Sequence, residues 1–173
     1  QVTLDAINRS NIKTEKYDAL AVEMRRSDLP LTVELMMGLP GSTVASFRED
    51  LQQCIDRELP ARINMTTLLV NSPMNEPSYL ETHKIKTSAP VGPGNLAMLA
   101  STSSYTEADL MMMHDFRTAF MFFENYAVLR IISRFVRHET GVDEMGFYEK
   151  LLLDNAGHRA WPMLNVLCNF GSS

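Results

Sequence analysis

Two charged residues, Glu34 and Arg9, are the candidates for chemistry. Glu34 interrupts an otherwise apolar run, Leu31 to Met37, LTVELMM. A carboxylate inside such a strand needs a partner if it is buried. It can pair with an arginine in a core, or accept hydrogen bonds from a ligand's hydroxyls. Arg9 lies in the short segment INRSN. Its guanidinium is a planar fork that suits a carboxylate bidentately, although the usual place of an arginine is a solvated surface. The other reactive side chains lack a chemical spacing. Cys54 and Cys168 form no metal or redox motif. His83, His114, His138 and His158 show no HxxxH pattern, so each is expected to be a surface or structural histidine. The segment VGPGN at 91–95 is glycine-rich but lacks the lysine and following helix of a phosphate loop.

The elements that must position Glu34 follow from periodicity. Leu31 to Leu39 reads as a buried strand, and Gly38-Leu39-Pro40-Gly41 as the tight turn that ends it. The glycines allow backbone that a Cβ would block, and Pro40 fixes φ and removes a donor. Glu34 is expected near the strand's C-terminal end, where barrel enzymes place ligand groups. Helical spacing starts at Thr43 and runs to about Glu58, with Val44, Phe47, Leu51, Ile55 and Leu59 on one face. Cys54 lies beside that stripe as a small core filler. Arg62 to Val70, RINMTTLLV, is a second strand. Strand, helix, strand predicts a parallel pair joined by a crossover. Before it, Tyr17, Leu20, Ala21 and Met24 make one stripe of a helix over 14–27.

Beyond Val70 the chain changes character. Asn71 to Tyr79 is rich in Pro and Asn and reads as a loop. Glu81 to Ser104 reads as an irregular linker or lid rather than a core element. One long helix is predicted from Ser104 to Thr140, opened by a Ser104/Glu107 capping box and stopped by Gly141. Phe116, Phe120, Phe123, Ala127, Ile131 and Phe135 fall on one face of it. Met111, Met112 and Met113 widen that face. A Met and Phe stripe is more often core than a cofactor box. Arg130, Arg134 and Arg137 read as a solvated basic face. A further helix begins near Phe147, and the apolar run Trp161 to Phe170 is expected to dock on the long helix.

The run VELMMGLPGSTVASF, with INRSNIKTEKYDALAVEMRR before it, resembles the second half of a radical S-adenosylmethionine (SAM) domain. More narrowly it is similar to the radical SAM proteins that carry a cobalamin-binding domain. In that family a 4Fe–4S cluster on a CxxxCxxC loop cleaves SAM to a 5′-deoxyadenosyl radical. The resemblance implies a partial TIM-like (β/α) barrel over residues 1–88, a linker over 89–104 and a helical region over 105–173. It implies that Arg9 holds the methionyl carboxylate of SAM and Glu34 the ribose hydroxyls. Backbone at Met36, Leu68, Leu69 and Val70 would frame the adenine. SAM, the cluster and cobalamin are the implied cofactors. The cluster ligands and the first half of the barrel would lie upstream of this chain.

Composition bounds the alternatives. A chain of 173 residues with 45% hydrophobic and 21% charged residues is ordinary for a globular protein. A net charge of −5 argues against a nucleic-acid backbone as partner. No apolar run reaches the length of a membrane span. A small-molecule substrate, reduced thiols and a cytoplasmic setting are expected. Two competing readings remain: a non-enzymatic α/β interaction module with a Met-rich docking helix, and a nucleotide-binding protein using the GLPG turn as an anion site.

Overall fold

A computed structural model describes residues 14–89 and 96–155. The chain is mixed α/β and forms two compact units. One comprises the residues up to Thr43 together with Leu59–Leu110; the other comprises Val44–Glu58 and the residues from Met111 onward.

The first unit opens with helix α1 (Thr14–Arg26). Asp28 takes a left-handed φ of 52°, and the Leu29 N–H closes the helix end on the Met24 carbonyl at 2.9 Å. Strand β1 (Val33–Met37) pairs in parallel with β2 (Ala61–Met65), with Glu34 opposite Arg62 and Met36 opposite Asn64. That pairing is the one the apolar run and the helical spacing after it predict. Among the described residues no third strand joins this pair and no barrel closes.

The expected strand over 62–70 is two strands in two sheets. Thr66 makes the corner. Its backbone N–H and its hydroxyl both donate to the Met37 carbonyl, at 3.0 and 2.8 Å. The chain turns there, and β3 (Thr67–Leu68) joins a second, antiparallel sheet of order β3-β5-β4. Between them come a 3-10 turn (Pro73–Asn75), a short helix α2 (Pro77–Thr82) and β4 (Lys86–Thr87). Strand β5 (Ala97–Ser101) corrects the expectation of an irregular stretch over 81–104. Leu99, on β5, is fully buried, and its N–H donates to the Thr66 carbonyl at 3.1 Å.

The second unit starts with helix α3 (Val44–Asp56), which buries Phe47, Leu51, Cys54 and Ile55 as its spacing predicts. The single long helix expected over 104–140 is instead α4 (Glu107–Ala119), a π-helical segment (Phe120–Asn125) and α5 (Arg130–Thr140). The capping box at its start uses Thr106 and Asp109 rather than Ser104 and Glu107. The Thr106 hydroxyl accepts from the Asp109 N–H at 3.2 Å and the Asp109 carboxylate accepts from the Thr106 N–H at 2.8 Å. The wider π turn and Ala127, at φ 59°, break the helical phase. Phe116, Phe120 and Phe123 are therefore buried, whereas Ile131 and Phe135 are exposed. Gly141 stops α5 in the left-handed conformation, as expected. Helix α6 (Glu144–Asn155) follows, and the ring of its Tyr148 lies 5.1 Å from that of Phe123. The segment Trp161 to Phe170 lies outside the described residues.

Candidate functional site

Alternation along β1 and β2 sorts their side chains onto two faces. Met37, Ala61 and Ile63 are buried on one. Glu34, Met36, Arg62 and Asn64 are exposed on the other. Glu34 has no partner among the described residues, so it is neither half of a core ion pair nor a buried charge. This corrects one expectation about its position: Glu34 is the second residue of β1, toward the end away from the GLPG turn. Met36 is nearer that turn. The face as a whole offers one carboxylate, one guanidinium, one amide and one thioether. Those groups can accept from hydroxyls, hold an anion and cover an apolar ring.

The turn after β1 is clasped by the loop that leads into α4. Gly38 and Gly41 both have positive φ, 81° and 87°. The Gly38 carbonyl accepts from the buried Tyr105 hydroxyl at 2.7 Å. A Cβ on Gly38 would stand 3.2 Å from both Leu110 and that hydroxyl. The Gly41 N–H donates to the Ser104 hydroxyl at 3.0 Å, and the Ser42 N–H to the Leu39 carbonyl at 3.0 Å. Burial pushes the Tyr105 hydroxyl pKa well above the usual tyrosine range, so it stays protonated and a donor. These contacts count against the GLPG turn as an anion site, because the Gly41 N–H and the Ser42 N–H after it already have acceptors.

Leu68 lies on β3, half-buried, beyond the Thr66 corner. Leu69 and Val70 follow it and are exposed, Val70 at 76%. Their carbonyls accept from the Ser72 N–H at 3.0 Å and the Asn75 side-chain amide at 3.2 Å. Arg9 lies outside the described residues. The structure thus brings Glu34 and Met36 to one exposed face, and sets Leu68–Val70 on a segment that has left that sheet.

The basic strip of α5 corrects another expectation. Arg134 and Arg137 do not form a merely solvated face. Arg134 contacts Glu124 and Glu144, each at 3.0 Å. Arg137 reaches Asp56 at 2.6 Å and Glu144 at 2.9 Å. Arg130 donates to the Glu124 carbonyl. Glu124 and Glu144 are buried, and Gln52 donates to Glu144 at 2.8 Å. Desolvation raises the Glu124 carboxyl even against the charge of Arg134. Burial alone would raise Asp56, but hydrogen bonds from Arg137 and Gln52 outweigh it and lower it. The network ties α3, the π segment, α5 and α6 together within one unit. Sequence spacing gives no pointer to it, since the acids lie on other elements than the arginines.

Among the described residues, no cluster of His, Cys, Asp or Glu could hold a metal ion. Cys54 is buried, and desolvation pushes its thiol up to about 11. It is therefore protonated at neutral pH, as a small core filler would be. No described helix is long and apolar enough to cross a membrane.

No protein-family profile matches the chain. Two relatives align with it over 161 residues, 86% of its length. One, at 27% identity, is the cobalamin-dependent radical SAM methyltransferase TokK of Streptomyces tokunonensis. The other, at 25% identity, is the 2-(S-pantetheinyl)-carbapenam-3-carboxylate methyltransferase of Streptantibioticus cattleyicolor. The chain spans about a quarter of the length of each, 24%.

Proposed function

We propose that this chain is part of a cobalamin-type radical SAM enzyme, acting in methyl transfer to a small-molecule substrate. The observation that carries the reading is the alignment of 86% of the chain with TokK. The second relative's name supports methyl transfer. The parallel β1–β2 pair, with one polar face left open, is what a section of a (β/α) barrel would offer its lumen.

In this reading residues 1–88 belong to the barrel and 105–173 to a helical region joined through 89–104. Glu34 accepts from the ribose hydroxyls of SAM, and Arg9 holds its carboxylate. Met36 and Leu68–Val70 border the adenine. The fit of SAM rests on Glu34, an exposed carboxylate with no protein partner among the described residues. The described residues do not fit the 4Fe–4S cluster: Cys54 is a buried thiol. The cluster's ligands, and the cobalamin site, would belong to the rest of the protein.

The test is anaerobic reconstitution of the longer protein that carries this chain. Cluster absorbance and release of 5′-deoxyadenosine from SAM are expected. Arg9→Lys should weaken SAM binding about tenfold, one bidentate contact's worth, with cluster absorbance unchanged. A protein that takes up neither cluster nor SAM overturns the reading. It would favour the interaction module, for which the exposed Met111 and Met112 are the supporting observation.

A further inference from the structure

Buried hydroxyls from distant points of the chain grip the end of β1. The Thr66 hydroxyl donates to the Met37 carbonyl at 2.8 Å, and the Tyr105 hydroxyl donates to the next carbonyl, that of Gly38, at 2.7 Å. Both side chains are buried, Thr66 at 4% exposure and Tyr105 at 3%. Further along the turn, the Gly41 N–H donates to the Ser104 hydroxyl at 3.0 Å, and Ser104 is hydrogen-bonded to the Thr102 hydroxyl at 2.9 Å. The grip leaves little play, since Leu110 and the Tyr105 hydroxyl each stand 3.2 Å from where a Cβ on Gly38 would lie. All these groups belong to one compact unit. Met36 comes just before the gripped carbonyls, and it is 43% exposed on the open face of β1 and β2. An exposed residue on so firmly held a backbone is preorganised for contact.

We propose that Tyr105 is a positioning residue of the SAM site: by holding the Gly38 carbonyl it sets the backbone of Met36 against the adenine. The inference rests on the proposed function, in which Met36 borders the adenine. Tyr105 itself touches no ligand. It acts through Gly38 and Met37, the residues that link its hydroxyl to Met36. Without that hydroxyl the buried Gly38 carbonyl has lost its donor and must move toward another. Met37 and Gly38 shift, and Met36 shifts with them. Small displacements matter there, because hydrogen bonds weaken steeply as they bend.

The test uses the reconstituted longer protein, below the melting temperature of each variant. The probes are SAM and its inosine counterpart, S-inosylmethionine, which carries a carbonyl where adenine carries its amine. The wild type is expected to prefer SAM. Tyr105→Phe should bind SAM about tenfold more weakly, roughly one hydrogen bond's worth, and should lose most of that preference. A site that is less stable but correctly placed keeps the preference, so the ratio of the two affinities separates positioning from stability. Ser104→Ala loosens the same turn at Gly41 and takes the place of Tyr105→Phe if that variant does not fold; it should shift the ratio the same way. A wild type that binds SAM without preferring it overturns the inference and leaves the proposed function standing. So does a folded variant that keeps the wild-type preference. A wild type that binds no SAM overturns both.

Discussion

Glu34 and Arg62 occupy the same register position of the parallel pair β1–β2, and both are exposed on one face of it. They are opposite charges on neighbouring strands, yet they form no ion pair. Each is left able to meet another group. A surface ion pair there would add little stability in any case.

The clasp on the GLPG turn should be measurable. Tyr105→Phe removes the donor to the Gly38 carbonyl and leaves a buried acceptor unsatisfied. The expected loss is about 1–3 kcal/mol. Each kcal/mol lowers Tm by about 2–4 °C for a chain of this size. Thermal melts of the two proteins check it, and equal melting temperatures would show that the hydroxyl is not holding the turn.

The two kinds of ion pair in the helical unit should differ. Arg134→Ala leaves the buried Glu124 and Glu144 short of a partner, and should destabilise by about 3–5 kcal/mol. Arg48 pairs with Asp143 at 2.6 Å and Glu149 at 3.2 Å, but all three are partly exposed. Arg48→Ala should lose no more than about 1 kcal/mol. Urea titrations of both variants give the comparison. A larger loss at Arg48 would contradict the assignment of the buried network as the unit's main polar tie.

His114 supplies a pH dependence. Burial, and then the charge of Arg117, hold its imidazole below the ordinary value of 6.5, against a smaller opposing effect of Asp115. The unfolded chain then binds this proton more readily than the folded one. The stability His114 contributes is present above pH 6.5 and is lost as the pH falls through that value toward the folded pKa. Melting temperatures of wild type and His114→Gln, followed from pH 8 down to pH 5, should diverge at the acid end, with the wild type falling faster. Parallel curves would place His114 in solvent.

Much of this organisation is written locally. The switch from an apolar run to helical spacing at Thr43 marks β1, its turn and α3, and a spacing of two puts Glu34 and Met36 on one face. The Thr66 corner is not written that way. RINMTTLLV is β-prone throughout, and the break comes from hydrogen bonds to Met37, 29 residues away. The interruption at 126–129 is hidden for a similar reason: apolar residues continue at helical spacing through it, and only the π turn changes their phase. An arginine strip looks alike whether solvated or paired. Its partners here, Glu124 and Glu144, lie on other elements, and nothing in the spacing names them. For the candidate site, the strand face was legible, but the departure of Leu68–Val70 from that sheet was not.

The most direct test of the account is a calorimetric titration of SAM into the longer protein, wild type and Glu34→Gln. Hydrogen bonds to a charged group contribute roughly 1.5–3 kcal/mol each, and the amide keeps the shape but presents one donor toward a donor. The account predicts saturable binding by the wild type and an affinity about 10- to 100-fold lower for Glu34→Gln, at roughly 1.4 kcal/mol per decade. Melting temperatures should be equal, because Glu34 is exposed and has no protein partner to lose among the described residues. Equal SAM affinities in the two proteins, or no binding by either, would contradict it.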